Sequence, residues 1–178
     1  MASDTRDRIL DAARALFAQK GVQKTSLQEI ADQLGITKPA LYYHFASRED
    51  LLRSIVQPLI DAGQRFIEEQ ESAPSVDARA LLGGFFDFHY EHRGDILILL
   101  YEMGTLAELG LVEIVFAWRH RIAELLCGPK PPLAQSARVV LALGGLQDCA
   151  IEFQDAPQTE LREITVAAAM AALGLGRL

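Results

Sequence analysis

The stretch that most constrains the fold is Ser26 to Phe45, SLQEIADQLGITKPALYYHF, because its punctuation leaves room only for two short helices and a tight turn. Ser26 and Glu29 form an S-x-x-E capping box: the hydroxyl accepts from the backbone N–H three residues on, and the carboxylate reaches back to the cap's own N–H. Ile30, Ala31 and Leu34 recur at helical spacing, and Gly35 supplies a left-handed stop. Thr37 and Pro39 mark a second start, with proline in the first turn, where its missing N–H is not needed. Leu41 and Phe45, four apart, can pack inward, which leaves Pro39, Ala40, Tyr42 and Tyr43 facing outward with Lys38 and His44 on the flanks. An outward tyrosine pair needs a partner, and two short helices about a turn are the device that enters a major groove of DNA.

The rest of the chain also reads as helix. Asp4 or Thr5 opens an amphipathic segment with Ile9, Ala13, Leu16 and Phe17 on one stripe, and Gly21 ends it. Ser47 and Asp50 cap a long helix whose apolar positions Leu51, Leu52, Ile55, Val56, Leu59, Ile60 and Ile67 run to about Gln70. Roughly 24 residues at a 1.5 Å rise span about 36 Å, enough to connect a small head to a second packing unit. Pro58 inside it removes one backbone hydrogen bond, so a kink is expected near Arg53 to Pro58, either as a tolerated bend or as a functional pivot. Further helices are expected over Val76 to His92, closed by Gly94, and over Asp95 to Met103. Gly104 and Gly110 bracket a loop or a loosened helix. Leu111 to Cys127 follows, stopped by Gly128, Pro129, Pro131 and Pro132, and two long helices near Ala134 to Gln154 and Gln158 to Leu173 finish the chain. Strand alternation, hairpin turns and internal repeats are missing from the pattern. The expected fold is all-α, with about nine helices, a head over residues 1–50 and a larger helical domain over 51–178.

The net charge of −7 looks unsuited to nucleic acid until it is divided along the chain. Residues 1–50 carry seven Lys or Arg against seven Asp or Glu, so the whole deficit lies beyond them. A locally neutral head can still meet phosphates with basic side chains on one face, while an acidic remainder discourages indiscriminate binding. Cys127 and Cys149 are the only cysteines and share no metal-binding spacing, which suits a reduced, cytoplasmic compartment. A charged N-terminal segment and apolar runs shorter than about 18 residues give no membrane span. P-loop, dinucleotide, G-x-S-x-G and H-E-x-x-H patterns do not occur, and His89, Glu91 and His92 lack a third ligand at convincing spacing. Neither an enzyme nor a metal or cofactor is expected.

The run T-S-L-Q-E-I-A-D-Q-L-G-I-T-K-P-A-L-Y-Y-H-F, followed by S-R-E-D-L-L, resembles the DNA-binding domain of the TetR family of transcriptional regulators. The resemblance in motif covers about Thr5 to Leu52; beyond residue 70 it is architectural. It implies a homodimer whose recognition helices enter successive major grooves of a palindromic double-stranded operator. It also implies a C-terminal domain that binds a small-molecule effector and releases the DNA, so that repression is the default. By the same resemblance Thr37, Lys38, Tyr42, Tyr43 and His44 would contact DNA, Ala40 would allow approach to a thymine methyl, and Ser26 and Gln28 would add backbone and base contacts. Alternatively Tyr42 or Tyr43 packs on the connector and His44 packs locally. Relatives commonly carry lysine where this chain has Ala46; Arg48 either replaces that phosphate contact or pairs with Glu49, Asp50 or solvent.

In the second domain, Phe85, Phe88, His89, Tyr101, Met103, Phe116, Trp118, Gln147 and Glu152 are candidates to line an effector cavity, or else they are core. Without an acidic or an arginine cluster among them, the effector is expected to be an apolar compound, neutral or singly charged. Gly144 and Gly145 inside a helix cost about 1 kcal/mol each relative to alanine, and close helix crossing would offset that. A dimer interface is therefore expected at Gly144, Gly145, Ile151, Ala168 and Ala171, the alternative being that the glycines soften the helix beside a pocket. Two other functions stay open: a helix-turn-helix regulator without an effector, controlled by a protein partner, and a small helical enzyme.

Overall fold

The computed structural model describes residues 2–101, 104, 107 and 110–175. Among them are nine helices and no strands: α1 Ala2–Lys20, α2 Leu27–Leu34, α3 Lys38–His44, α4 Arg48–Ser72, α5 Ala78–Glu91, α6 Arg93–Tyr101, α7 Leu111–Cys127, α8 Leu133–Glu152 and α9 Gln158–Ala172. They group into two compact units, residues 1–61 with 94–112, and residues 62–93 with 113–178.

The first unit is built on α1. Ile9, Ala13 and Phe17 are buried on one stripe, Leu16 is half-buried beside them, and Gly21 ends the helix in a left-handed conformation (φ 83°). α2 and α3 pack on this support through Leu27, Ile30, Ala31, Leu41 and Phe45. The unit extends beyond the boundary expected at residue 50. The first half of α4 carries Leu51, Leu52, Ile55 and Val56, each fully buried, so the head's core continues through it. Residues 94–112 join the same unit, with Ile96 and Ile98 buried and Arg14 Nε donating to Asp95 Oδ1 at 3.1 Å. α4 continues through Pro58 to Ser72, two residues past the expected end.

In the second unit α5, α8 and α9 pack against one another, with Leu81, Leu82, Phe86, Leu143, Leu146 and Val166 in the core. α5 begins on Asp77, whose carboxylate accepts from the backbone N–H groups of Arg79 (2.9 Å) and Ala80 (3.1 Å). Arg162 Nε donates to both oxygens of Asp87, at 2.8 and 2.9 Å, and clips α9 to α5. α6 starts at Arg93, ahead of the expected Asp95, and Met103 lies outside the described residues. α8, apolar nearly all round in sequence, buries Val139, Ala142, Leu143, Leu146 and Ala150 but leaves Val140 and Leu141 63% and 70% exposed. Cys127 and Cys149 are unbridged, and burial pushes the Cys149 thiol up.

Candidate nucleic-acid interface and ligand cavity

α2 and α3 are held with little freedom at both ends. Ser26 Oγ accepts from Glu29 N–H at 3.2 Å while Ser26 N–H donates to Glu29 Oε2 at 2.8 Å, closing the reciprocal cap. Lys20, at the end of α1, also donates to Glu29. These bonds to the ionised carboxylate, Lys20 first, lower its pKa to about 2. Gly35 then turns the chain at φ 65°, with Ile36 N–H bonded to Ala31 C=O at 3.0 Å, which is the left-handed helix stop. Thr37 caps α3 by accepting from Ala40 N–H at 3.3 Å.

What α3 presents follows from this scaffold. Leu41 and Phe45 are fully buried, so Tyr43, two residues from each and on the opposite side of the helix, stands 84% exposed and Tyr42 45% exposed. Tyr43 is therefore not packed on the connector, whereas Tyr42 shares a groove with Ser47, Arg48 and Glu49 at its start. Lys38 Nζ lies 5.6 Å from the centre of the Tyr42 ring, and His44, half-buried, meets the Tyr43 ring edge-on at 5.2 Å. Lys38, Tyr42, Ser26, Gln28 and Arg48 come together around one groove of about 310 Å³, with Ala46 on its wall. Thr37, Ala40 and Tyr43 are exposed but not on that wall. Arg48 Nη1 donates to Gln23 C=O at 2.9 Å. Gln28 Nε2 is bonded to Asp32 Oδ1 at 2.7 Å.

In the second unit, Phe85, Phe88, His89, Trp118 and Gln147 converge on an apolar cavity of about 40 Å³, together with Gly63, Phe66, Ile67, Val115, Arg119 and Ile122. Of the other expected wall residues, Phe116 is 62% exposed on a separate groove and Glu152 is exposed away from the cavity. Phe116 is two residues from Trp118, so the two side chains leave α7 on different sides. Met103 and the Tyr101 side chain lie outside the described residues.

The cavity is small because Trp118 fills it. Its ring lies against Gly63 of α4, where an added β-carbon would come within 2.4 Å of the indole, and its Nε1–H donates to Gln64 Oε1 at 3.1 Å. His89 is buried beside Phe85 and Phe88 (ring centroids at 4.1 and 5.2 Å), and its Nδ1 is 2.8 Å from Phe85 C=O. A carbonyl only accepts, so Nδ1 carries the proton and Nε2 of the neutral ring is an acceptor. Burial lowers the His89 pKa to about 4, against the bond to Phe85, with Arg119 and His92 adding to the fall. Sequence reading did not reach Gly63, Phe66 or Arg119. Gly63 alone carried a signal, as a glycine inside a predicted helix, which costs stability unless another group needs the space.

Residues 9–55 match the family model described as bacterial regulatory proteins, tetR family. The head therefore carries the DNA-binding domain that this family model describes. The transcriptional repressor KstR2 of Mycobacterium tuberculosis is 30% identical over 105 residues, 57% of this chain and 52% of that protein, so the chain spans about half the length of this curated relative. A TetR-family regulator from Bordetella parapertussis shares the fold at a TM-score of 0.76, with 20% identity over 93% of this chain and 94% of the other. The regulator FadR of Bacillus subtilis, solved in complex with stearoyl-CoA, gives 0.65, with 17% identity over 93% and 97%. At such identities the structures establish the fold alone. The TetR architecture accounts for an N-terminal helix-turn-helix followed by a helical domain. Among the described residues no three His, Cys, Asp or Glu side chains are grouped to hold a metal ion, and no helix is long and apolar enough to cross a membrane.

Proposed function

We propose that the protein is a transcriptional repressor that binds a palindromic operator as a homodimer and is released by a small apolar effector. The observation that carries the DNA-binding part is the outer face of α3. A doubly capped seven-residue helix offers Lys38, Tyr42 and Tyr43 to solvent, with two buried residues anchoring it from behind. Lys38 is suited to a phosphate, the tyrosine and Thr37 hydroxyls to phosphates or base edges, and Ala40 to a thymine methyl. Ser26, Gln28, His44 and Arg48 flank the same surface. Two such helices related by a two-fold axis need a separation of roughly 34–36 Å to reach both half-sites.

Dimerisation through α8 and α9 accounts for surfaces that a single chain leaves bare. Leu141 and Ile164 are 70% and 60% exposed, Gly145 has nothing within 4 Å of where its β-carbon would be, and Ala168 and Ala171 are exposed on α9. Small residues beside large apolar ones let helices cross closely. Gly144, next to Arg119, and the half-buried Ile151 border this surface.

The effector site is the cavity beneath Trp118, lined by Phe85, Phe88, His89 and Gln147. The acyl chain of the stearoyl-CoA named with FadR is a precedent for an apolar ligand body in a domain of this fold. At about 40 Å³ the cavity holds little more than one water, so an effector binds the form in which the indole has left Gly63. Release from DNA then follows if that form binds the operator less well, by the difference in effector affinity between the two forms. The same small volume favours a second reading, a regulator without a small-molecule effector that answers to a protein partner.

Fluorescence anisotropy with the DNA flanking the protein's own gene tests the first part. Tyr43→Ala is expected to weaken binding at least tenfold with the fold intact, and Lys38→Ala to reduce the slope of log K against log salt by about one. Unchanged affinity and slope in both variants would remove α3 from the interface. Release by an apolar compound, absent in a variant that keeps the indole in place, separates the effector reading from the partner reading.

A further inference from the structure

A second concavity, between α7 and α8, has a chemistry that neither the operator nor the core cavity uses. It encloses about 490 Å³, inside the range of about 300–1,000 Å³ in which small-molecule sites fall. Its floor is apolar, with Phe116 62% and Val140 63% exposed beside the buried Val139 and Leu143. Its rim is cationic. Arg119 is half-buried on α7, and among the described residues no carboxylate or carbonyl accepts from its guanidinium. Lys130, which also lines the groove, is the only non-glycine residue with positive φ (55°) among the described residues, between Pro129 and Pro131. Non-glycine residues persist in that region only where their surroundings impose it, and such positions gather at ligand sites. The one carboxylate on the wall, Glu124, lies 3.5 Å from His120 Nε2.

We propose that this groove binds an amphiphile carrying one negative charge, a carboxylate joined to an aliphatic body. Arg119 takes the carboxylate through its planar fork of donors, and Lys130 adds a second positive charge to the wall. The aliphatic body lies on Phe116, Val139, Val140 and Leu143. Two rim cations against the single Glu124 leave room for one anionic charge. By helical periodicity Ser136, Val139, Val140 and Leu143 share one side of α8, whereas Leu141 and Gly145 of the bare dimerisation surface lie on another; Arg119, beside Gly144, stands at the border between the two. Arg119 borders the core cavity as well, so a ligand here acts on the wall that His89 and Trp118 share.

Calorimetric titration of the full chain with decanoate below its micelle concentration, without DNA, tests the site. Saturable binding of one decanoate per chain is expected, with decanol at least tenfold weaker. Arg119→Gln and Val140→Asp should each weaken decanoate at least tenfold, and Lys130→Gln about threefold. Val140 touches only the outer groove, so its variant separates this site from the core cavity, and its exposed position keeps the fold safe. Equal affinity for decanol and decanoate, or undiminished binding in both Arg119→Gln and Val140→Asp, overturns the proposal. So does a wild-type protein that ignores decanoate while Val140→Asp lowers its mass in light scattering, because a second copy then occupies the groove. None of these readouts involves DNA, so failure of operator binding would be seen separately.

Discussion

Gly63→Ala is the sharpest perturbation available, because two opposing contributions at one position have known signs. In an unencumbered helix the change from glycine to alanine stabilises by about 1 kcal/mol. Here the new β-carbon would sit 2.4 and 2.5 Å from two atoms of the Trp118 ring and 3.1 Å from a third. The indole cannot swing away cheaply, since it is 8% exposed and its Nε1–H is bonded to Gln64. Overpacking of this kind costs about 1–3 kcal/mol, so Gly63→Ala should be neutral to destabilising by about 2 kcal/mol. In a Trp118→Leu background the clash disappears and only the helix term survives, so the same substitution should stabilise by up to about 1 kcal/mol. Urea unfolding of the four proteins in the cycle measures the sign change directly. The chain's single tryptophan is the indole in question, and its fluorescence maximum should shift to the red in Gly63→Ala. If Gly63→Ala stabilises the parent protein as much as it stabilises the Trp118→Leu protein, the contact is not what keeps glycine there.

His89 has a depressed pKa in the folded chain, about 4 against 6.5, so the unfolded state takes up its proton first as pH falls. Its contribution to stability is complete above pH 6.5 and declines towards pH 4 by about 3 kcal/mol; His89→Gln should flatten that part of the stability profile, and an unchanged profile would refute it. Glu29, lowered to about 2 from 4.5, acts lower on the scale: its contribution is present above about pH 4.5 and is lost as pH falls towards 2, so Glu29→Gln should reduce the acid sensitivity seen by circular dichroism in that window. Asp77→Ala removes both bonds that cap α5 and should cost about 1 kcal/mol, with Asp77→Asn recovering most of it in thermal unfolding.

Where local chemistry decides, residues alone placed the structure closely. The Ser26–Glu29 box, the Gly35 turn and the Thr37 cap each depend on groups within three or four residues, and each forms as read. The outward face of α3 was legible for the same reason, since Leu41 and Phe45 fix its rotation. α7 matches its expected bounds because Gly110 and Gly128 both take left-handed conformations at its ends. The boundary of the head was less legible. Nothing near residue 50 signals that Leu51 to Val56 and Ile96 to Ile98 complete one core, because burial depends on partners far along the chain.

The candidate cavity divides in the same way. Helical spacing could nominate Phe85, Phe88, His89 and Trp118, yet it could not tell that Trp118 closes the space, that Phe116 points elsewhere, or that Arg119 faces both the cavity and an outer groove. By itself the sequence determined an all-helical chain with a capped, outward-facing recognition helix, because caps, turns and periodicity are short-range interactions. Only the tertiary structure decided which glycine an indole needs and which histidine is kept neutral. Those outcomes come from the crossing of helices tens of residues apart, and from the desolvation that the crossing imposes.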